Sequence, residues 1–416
     1  MSDRRILVVS QMFPTEMGGN ASRTGEIARR LEDDGWEVTA VAPAKSYPPG
    51  EYERSWSRHE TERWEDMAVH RLWTWQPVRP DPGILVRLAY YLVFAFHAMA
   101  WVTVHADEYD AIVTTAPPIF TALSALPAAV LKRKPLFVDQ QDLWIEAAAG
   151  LGFIEKDGLL ARLSRLYQSA IFAVAERIFV TTDEMDRRLR RRYRHVGPDE
   201  TVPVPNGVDT TEFTPADDPP DDTLVFCGHV GHPRAIPVYL EAMTRMENDV
   251  RLRVVGGGDR LPAVKRRAED LGIEQNVTFH GTVDGDRVPE LVADSTVGIA
   301  PIRMDESLEY SVPIKVYEYM SCGLPVVATD IGAVTEFMDE SSGGVAVEND
   351  PDAVADALDA LLDDRRKRRR FGQRGRAFVK DRYDWTAIGK HLSDTIRRVA
   401  TDETEEVEPI AVAEGR

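Results

Sequence analysis

Short apolar runs alternate along the chain with stretches of helical periodicity. Ile6–Ser10 is the first apolar run, and a loop containing Pro14, Gly18 and Gly19 follows it. Arg23–Asp34 places Ile27 and Leu31 among charges at helical spacing, and Gly35 stops it. Trp36–Val41 reads as the next strand, ended by Pro43. Strand, helix and strand in this order form the βαβ unit of a parallel sheet. Residues 44–82, rich in Trp, Pro and charge, read as irregular. Strand-like runs return at Ala111–Thr115, Leu136–Asp139, Arg177–Thr181 and Val202–Val204. Pro205–Asp209 reads as a turn, and the Pro/Asp-rich Thr214–Asp222 has the composition of a linker.

The alternation then restarts. Strands are predicted at Leu224–Cys227, Arg251–Val255, Val277–His280, Val297–Ala300, Pro325–Ala328 and Gly344–Val347. Helices are predicted at Pro237–Met246, Leu261–Leu271, Ile314–Ser321 and Pro351–Asp363, with a long helical region running to Val399. The expected fold class is α/β: two doubly wound Rossmann-like domains facing a central cleft, where ligands meet strand ends and helix N-termini. The expected boundaries are a first domain at 1–205, a linker at 206–222 and a second domain at 223–385. A C-terminal helix at 386–400, with room to cross back to the first domain, and an acidic tail at 401–416 complete the chain.

The 416 residues and 46.6 kDa suit two domains, and 43% hydrophobic with 29% charged residues is an ordinary globular balance. Only Leu85–His105 approaches the length of a membrane span, which excludes a polytopic membrane protein. With 50 basic and 69 acidic residues the net charge is −19, so no nucleic-acid partner is expected. Only nine of the basic residues are lysine. A hydrated acidic surface suited to a saline cytoplasm explains this, and a GC-rich genome explains the arginine equally well. Cys227 and Cys322 lie in or beside apolar runs without a metal-ligand pattern, so neither a disulfide framework nor a zinc site is expected. The N-terminus has too short an apolar core for a signal peptide, and the expected compartment is the cytoplasm. Neither the loop Gln11–Asn20 nor Gly256-Gly257-Gly258-Asp259 has GxGxxG spacing, which argues against dinucleotide chemistry. Asp284-Gly285-Asp286 sits in a polar loop before a helix and reads as a cap or turn; no essential metal is expected.

Four segments in order carry a resemblance: Phe13-Pro14-Thr15-Glu16-Met17-Gly18-Gly19, Pro205-Asn206-Gly207-Val208-Asp209, Phe226-Cys227-Gly228-His229-Val230-Gly231 and Lys315 through Val327. Together they resemble the family 4 (group 1) retaining glycosyltransferases of GT-B fold, over roughly Arg5 to Val399. Pro117-Pro118 and Asp142-Leu143-Trp144 are similar to the branch that builds surface polysaccharides with amino or deoxy sugars. The resemblance implies a hexosyl-type transferase that uses a nucleotide sugar, UDP- or GDP-linked, as co-substrate and no other cofactor. It implies a glycan acceptor, lipid-linked in this branch.

Breaking the donor's glycosidic bond leaves charge on a diphosphate, which fixed cations and helix N-termini must meet. The resemblance gives that role to Arg234 and Lys315, where the family usually has lysine at the former. His229 stands where the family has arginine; the other reading of it is a satisfied polar residue at a strand end. Glu318, at i+3 from Lys315, would accept from the ribose hydroxyls. The family's first glutamate falls on Tyr310, with Glu306 and Glu309 nearby as substitutes. Gly228, Gly256 and Gly257 would let the backbone approach the donor. Gly18, Gly19 and Arg23 would meet an acceptor phosphate, and Asp142 would orient the acceptor hydroxyl or simply cap a helix. The expected catalytic set is Arg234, Lys315, Glu318 and Asp142.

In Leu85–His105, a helix partly docked on its own sheet is expected to offer Tyr90, Tyr91, Phe94 and Trp101 to a lipid interface. Arg79 and Arg87 flank it, and the enzyme would be peripheral on the cytoplasmic face; a wholly buried helix is the other reading. Arg187–Arg192 and Arg365–Arg370 read as solvated helix faces. A catalytically inert, nucleotide-sugar-binding scaffold is the alternative function, supported by the departures at His229 and Tyr310.

Overall fold

The computed structural model of the protein describes residues 4–16, 19–46, 52–79, 82–150, 154–231, 235–302 and 309–401. The chain divides into one unit of residues 1–205 with 386–416, and a second of 206–385.

The first unit runs β1 (Arg4–Val9), α1 (Gly19–Asp33), β2 (Trp36–Pro43), β3 (His59–Trp64), β4 (Met67–Leu72), α2 (Ile84–His105) and β5 (Ala111–Ala116). It continues with α3 (Leu126–Lys132), β6 (Leu136–Gln140), α4 (Trp144–Gly150), α5 (Leu159–Phe172), β7 (Arg177–Val180), α6 (Asp183–Arg192) and β8 (Thr201–Pro203). Its sheet has the order β3-β4-β2-β1-β5-β6-β7-β8, parallel except for the β3–β4 hairpin. From β1 the chain steps outward to β4, then returns past β1 to β5 and on to β8. Right-handed crossovers therefore place α1 on one face and α2 through α6 on the other. The hairpin corrects the irregular reading of residues 44–82. Its outer strand, His-Glu-Thr-Glu-Arg-Trp, is a charged edge without the alternation of a half-buried strand.

The expectation for the apolar segment needs a second correction. Tyr90 and Phe94 do not face outward: with Ala98 and Val102 they form a buried stripe at four-residue spacing. Ser46 donates to the Tyr90 hydroxyl (2.8 Å). Trp101 lies between the rings of His70 (4.7 Å) and His105 (4.1 Å). The outward positions are Leu85, Leu88, Phe96 and Val104. This helix is long and apolar enough to cross a membrane by composition, but its buried stripe makes it a cover of the sheet.

The second unit comprises β9 (Thr223–Cys227), α7 (Ile236–Met243), β10 (Arg251–Val255), α8 (Leu261–Asp270), β11 (Val277–Gly281), α9 (Val288–Ala293) and β12 (Val297–Ala300). It continues with α10 (Ile314–Ser321), β13 (Val326–Thr329), α11 (Gly332–Ser341), β14 (Gly344–Val347), α12 (Pro351–Leu362) and α13 (Arg365–Arg382). The sheet order is β11-β10-β9-β12-β13-β14, all parallel, so the strand order reverses between β9 and β12. One core packs α9, α10, α11 and α13 on the sheet; the other packs α7, α8 and α12.

The last helix, α14 (Trp385–Thr401), belongs to the first unit from Thr386 onward. There Ser393 accepts from the Trp36 indole (2.9 Å), and Gly389 lets α14 pack against Arg30 of α1.

Candidate active site

Strand order places the chemistry of each sheet at its carboxyl edge, beside the switch point. In the second unit, the loops after β9 and β10 interlock there. Gly228 N–H donates to the Val255 carbonyl and Val230 N–H to that of Gly257, both at 2.8 Å. Gly256 has φ +135°, and a Cβ there would stand 2.1 Å from the Gly228 carbonyl oxygen. At Gly258, with φ +152°, a Cβ would stand 2.3 Å from the Val230 oxygen. Only glycine fits at both crossings.

α10 starts beside this crossover. Its N-cap is Pro313, which supplies no side-chain cap, and first-turn N–H groups with their dipole make a site for an anion. Lys315 in that turn is 8% exposed. Its Nζ lies 3.7 Å above the Phe226 ring centroid and 3.1 Å from where a Gly228 Cβ would be. The ammonium is thus held at the glycine crossover by cation–π contact.

Glu318 follows three residues on. Burial pushes its carboxyl up to about 7, Lys315 pulls it down and Glu212 pushes it up. Burial, followed by the Glu318 charge, raises the Cys227 thiol to about 12; Cys322 reaches about 12 for the same reasons. Both cysteines are free and buried, which makes them inert as nucleophiles. The His229 imidazole sits 3.5 Å from Asp259, half-exposed on the same loop pair.

The structure therefore brings together Gly228, His229, Gly256, Gly257, Lys315 and Glu318 at one sheet edge. Arg234 and Glu306 lie outside the described residues. Tyr310 is 1% exposed in the core, and the Glu309 carbonyl accepts from Ala333 N–H (2.8 Å) at the start of α11. The Asp284 backbone carbonyl accepts from Arg287 N–H (3.0 Å) across a one-turn helix, with no side-chain cap. Among the described residues, no group of three or more His, Cys, Asp or Glu is placed to hold a metal. Sequence reasoning missed Tyr319. Its hydroxyl accepts from Cys227 N–H (2.7 Å) and so fixes the end of β9; no spacing pointed to it.

In the first unit, the carboxyl edge carries a polar row. Ser10 pairs with Thr115 (2.8 Å), and Gln141 donates to Asp139 (2.7 Å). Arg23 must be reassigned. It is 1% exposed, its Nη2 donates to Asp139 (2.7 Å) and to the Val204 carbonyl (2.8 Å), and its Nη1 donates to the Pro205 carbonyl (2.8 Å). A guanidinium so buried joins α1 to the ends of β6 and β8 rather than meeting an acceptor phosphate. Its helical spacing on the inner side of α1 was the available signal.

Gly19 opens α1, and Gly18 lies outside the described residues. The loop before it is anchored by buried Phe13 against Trp64 and by Arg71, which donates to the Pro14 carbonyl (2.6 Å). Asp142 follows β6 just before α4. Burial raises its carboxyl to about 7; Leu143 N–H lowers it and Glu146 raises it. The Gln140 amide donates to the Asp142 carbonyl (2.5 Å), and Gln168 donates to Gln140 (3.1 Å), which ties this turn to α5.

A glycine crossover, a buried ammonium in the first turn of α10 and a carboxylate one turn on lie together at the carboxyl edge of a doubly wound sheet, where such sheets take anionic ligands. Residues 18–207 match the glycosyl transferase 4-like domain, and residues 221–364 match the glycosyl transferases group 1 family. The chain belongs to the group 1, family 4 glycosyltransferases, of GT-B fold.

One relative is the GDP-mannose-dependent alpha-(1-6)-phosphatidylinositol monomannoside mannosyltransferase of Mycolicibacterium smegmatis, 30% identical over 46% of this chain and 55% of that protein. The protein of the same description from Mycobacterium tuberculosis is 28% identical over 62% of this chain and 76% of its own length. Among solved structures, sucrose-phosphate synthase from Thermosynechococcus elongatus has a TM-score of 0.76 at 19% identity, covering 96% of this chain and 100% of that one. Anabaena HepE in complex with UDP has a TM-score of 0.69 at 15% identity, covering 94% and 99%.

Proposed function

We propose that the chain is a retaining glycosyltransferase that moves a hexosyl-type sugar from a UDP- or GDP-sugar to a lipid-linked glycan acceptor in cell-surface glycan synthesis. The placement of Lys315 Nζ at the Gly228–Gly256 crossover carries this reading. A compact ammonium beside backbone that admits no side chain suits a diphosphate. Arg234 adds a second cation, and His229 a polar contact. Glu318 takes the ribose hydroxyls, and the hydrogen bonds it accepts favour its ionised form. Mannosyltransferases named for GDP-mannose and phosphatidylinositol among the relatives, and a UDP complex among the structural neighbours, support this donor class and a lipid-borne acceptor.

In the reaction, the bond from the sugar's anomeric carbon to the β-phosphate oxygen breaks. A bond to the acceptor oxygen forms on the same face, and the acceptor proton passes to the departing phosphate. Asp142 orients the acceptor hydroxyl. No metal takes part in this scheme. A lipid-linked acceptor places the enzyme on the cytoplasmic face of a membrane.

Burial of Tyr310, where the family has an acid, supports the second reading, an inert nucleotide-sugar-binding scaffold. Incubation with a panel of nucleotide sugars, scored for released UDP or GDP, separates the two. Turnover of at least one donor is expected. Tight binding with no release from any donor, with or without acceptor glycolipid, favours the scaffold.

A further inference from the structure

A compact run of exposed apolar side chains on the described surface of the first unit lies on the outer face of α5. Leu159, Leu160, Leu163 and Leu166 are 74%, 60%, 53% and 69% exposed. Leu159, Leu163 and Leu166 repeat at helical spacing, one ridge along the axis. The opposite side of α5 is fully used. Ala161, Ser164, Gln168, Ile171 and Phe172 are buried, and Ala161 joins Ile119 and Ile145 in a small core under α4. The ridge is therefore surplus to folding.

The charge around it is opposite to that of the molecule. Residues 159–195 hold nine arginines against four acidic residues, in a chain of net charge −19. Arg162 borders the ridge. α6 lies on the same sheet face, joined to α5 where Tyr193 donates to Gln168 (2.7 Å) and His195 meets the Ser169 carbonyl (3.1 Å). On α6, five arginines stand against Asp183, Glu184 and Asp186; Glu184 pairs with Arg187, Arg188 and Arg191, Asp186 with Arg190, and Glu146 of α4 with Arg192. On α3, exposed Val130 and Leu131 run into Lys132 and Arg133, again basic beside apolar.

Leucines between arginines match a helix lying in a bilayer interface, apolar face in the acyl boundary and guanidinium groups at headgroup phosphates. A second copy of the same face would bring like charges together. We propose that the α5 ridge with the α6 arginines docks the first unit onto an anionic lipid surface. This rests on the lipid-linked acceptor proposed above. α5 packs against α4 directly after Asp142, so docking there sets the acceptor turn beside the membrane.

The test is flotation of the full chain with phosphatidylcholine vesicles and with vesicles containing phosphatidylglycerol, at low and high salt. The native protein is compared with Leu163→Glu/Leu166→Glu and with Arg187→Ser/Arg191→Ser. All are assayed for unchanged melting and for donor hydrolysis without lipid, so loss of docking is told apart from failure of the transferase reading. The native protein floats with anionic vesicles; the leucine variant partitions at least about tenfold less at both salts. The arginine variant loses binding mainly at low salt, where surface charge is least screened. The proposal is overturned if the native protein stays soluble at every composition, or if the leucine variant floats equally well. A native dimer that the leucine variant splits into monomers also overturns it and assigns the ridge to a second copy.

Discussion

Replacing Glu318 with glutamine keeps the side chain's shape and removes its charge. In the ligand-free protein the carboxyl is held near 7 against an ordinary value of 4.5, chiefly by burial. A raised carboxyl binds its proton more tightly in the folded state. Its contribution to stability is therefore complete below pH 4.5 and is lost as pH rises toward 7. The span corresponds to about 3 kcal/mol at most. Glu318→Gln resembles the protonated acid at every pH. Above pH 7 the variant should therefore be more stable than the native protein by up to about 3 kcal/mol, and near pH 4.5 the two should converge.

Binding should move the other way. A charged acceptor to a hydroxyl contributes about 1.5–3 kcal/mol, so nucleotide affinity should fall about 10- to 100-fold. Urea denaturation of both proteins at pH 5 and pH 8, with calorimetric titration of UDP and GDP, measures both effects. Equal stability at pH 8 would refute the burial argument, and unchanged nucleotide affinity would refute the ribose role.

Lys315→Ala should lower turnover about 10²-fold or more, the scale of losing one charge-stabilising group, and near-normal rates would remove Lys315 from the diphosphate site. Arg23→Met leaves Asp139 buried without its partner and should cost about 3–5 kcal/mol of stability, read as a lower urea midpoint. A loss of acceptor affinity without loss of stability would restore Arg23 to the site. If the acidic surface reflects a saline cytoplasm, melting temperature should rise from dilute buffer to molar KCl, and an unchanged value dismisses that idea.

Element alternation was legible because parallel strands are short apolar runs and their crossover helices carry a 3.6-residue stripe. β10 and α10 fall on the predicted residues, and β9 starts one residue earlier than expected. Lys315 and Glu318 were legible too, because three residues along one helix set their relation without help from the rest of the fold. The β3–β4 hairpin was not, since an edge strand owes its place to one neighbour and its composition to the need to repel others.

Arg23, Tyr90 and Leu163 show what tertiary structure alone decides. A chain of letters shows an arginine near a glycine loop, a tyrosine in an apolar helix and a leucine in an ordinary amphipathic one. Burial depends on which face of each helix meets the sheet. That turned Arg23 into the partner of Asp139, Tyr90 into core, and the ridge through Leu163 outward. Periodicity gives the stripe on a helix, but only the packed neighbours say whether a second stripe is left over.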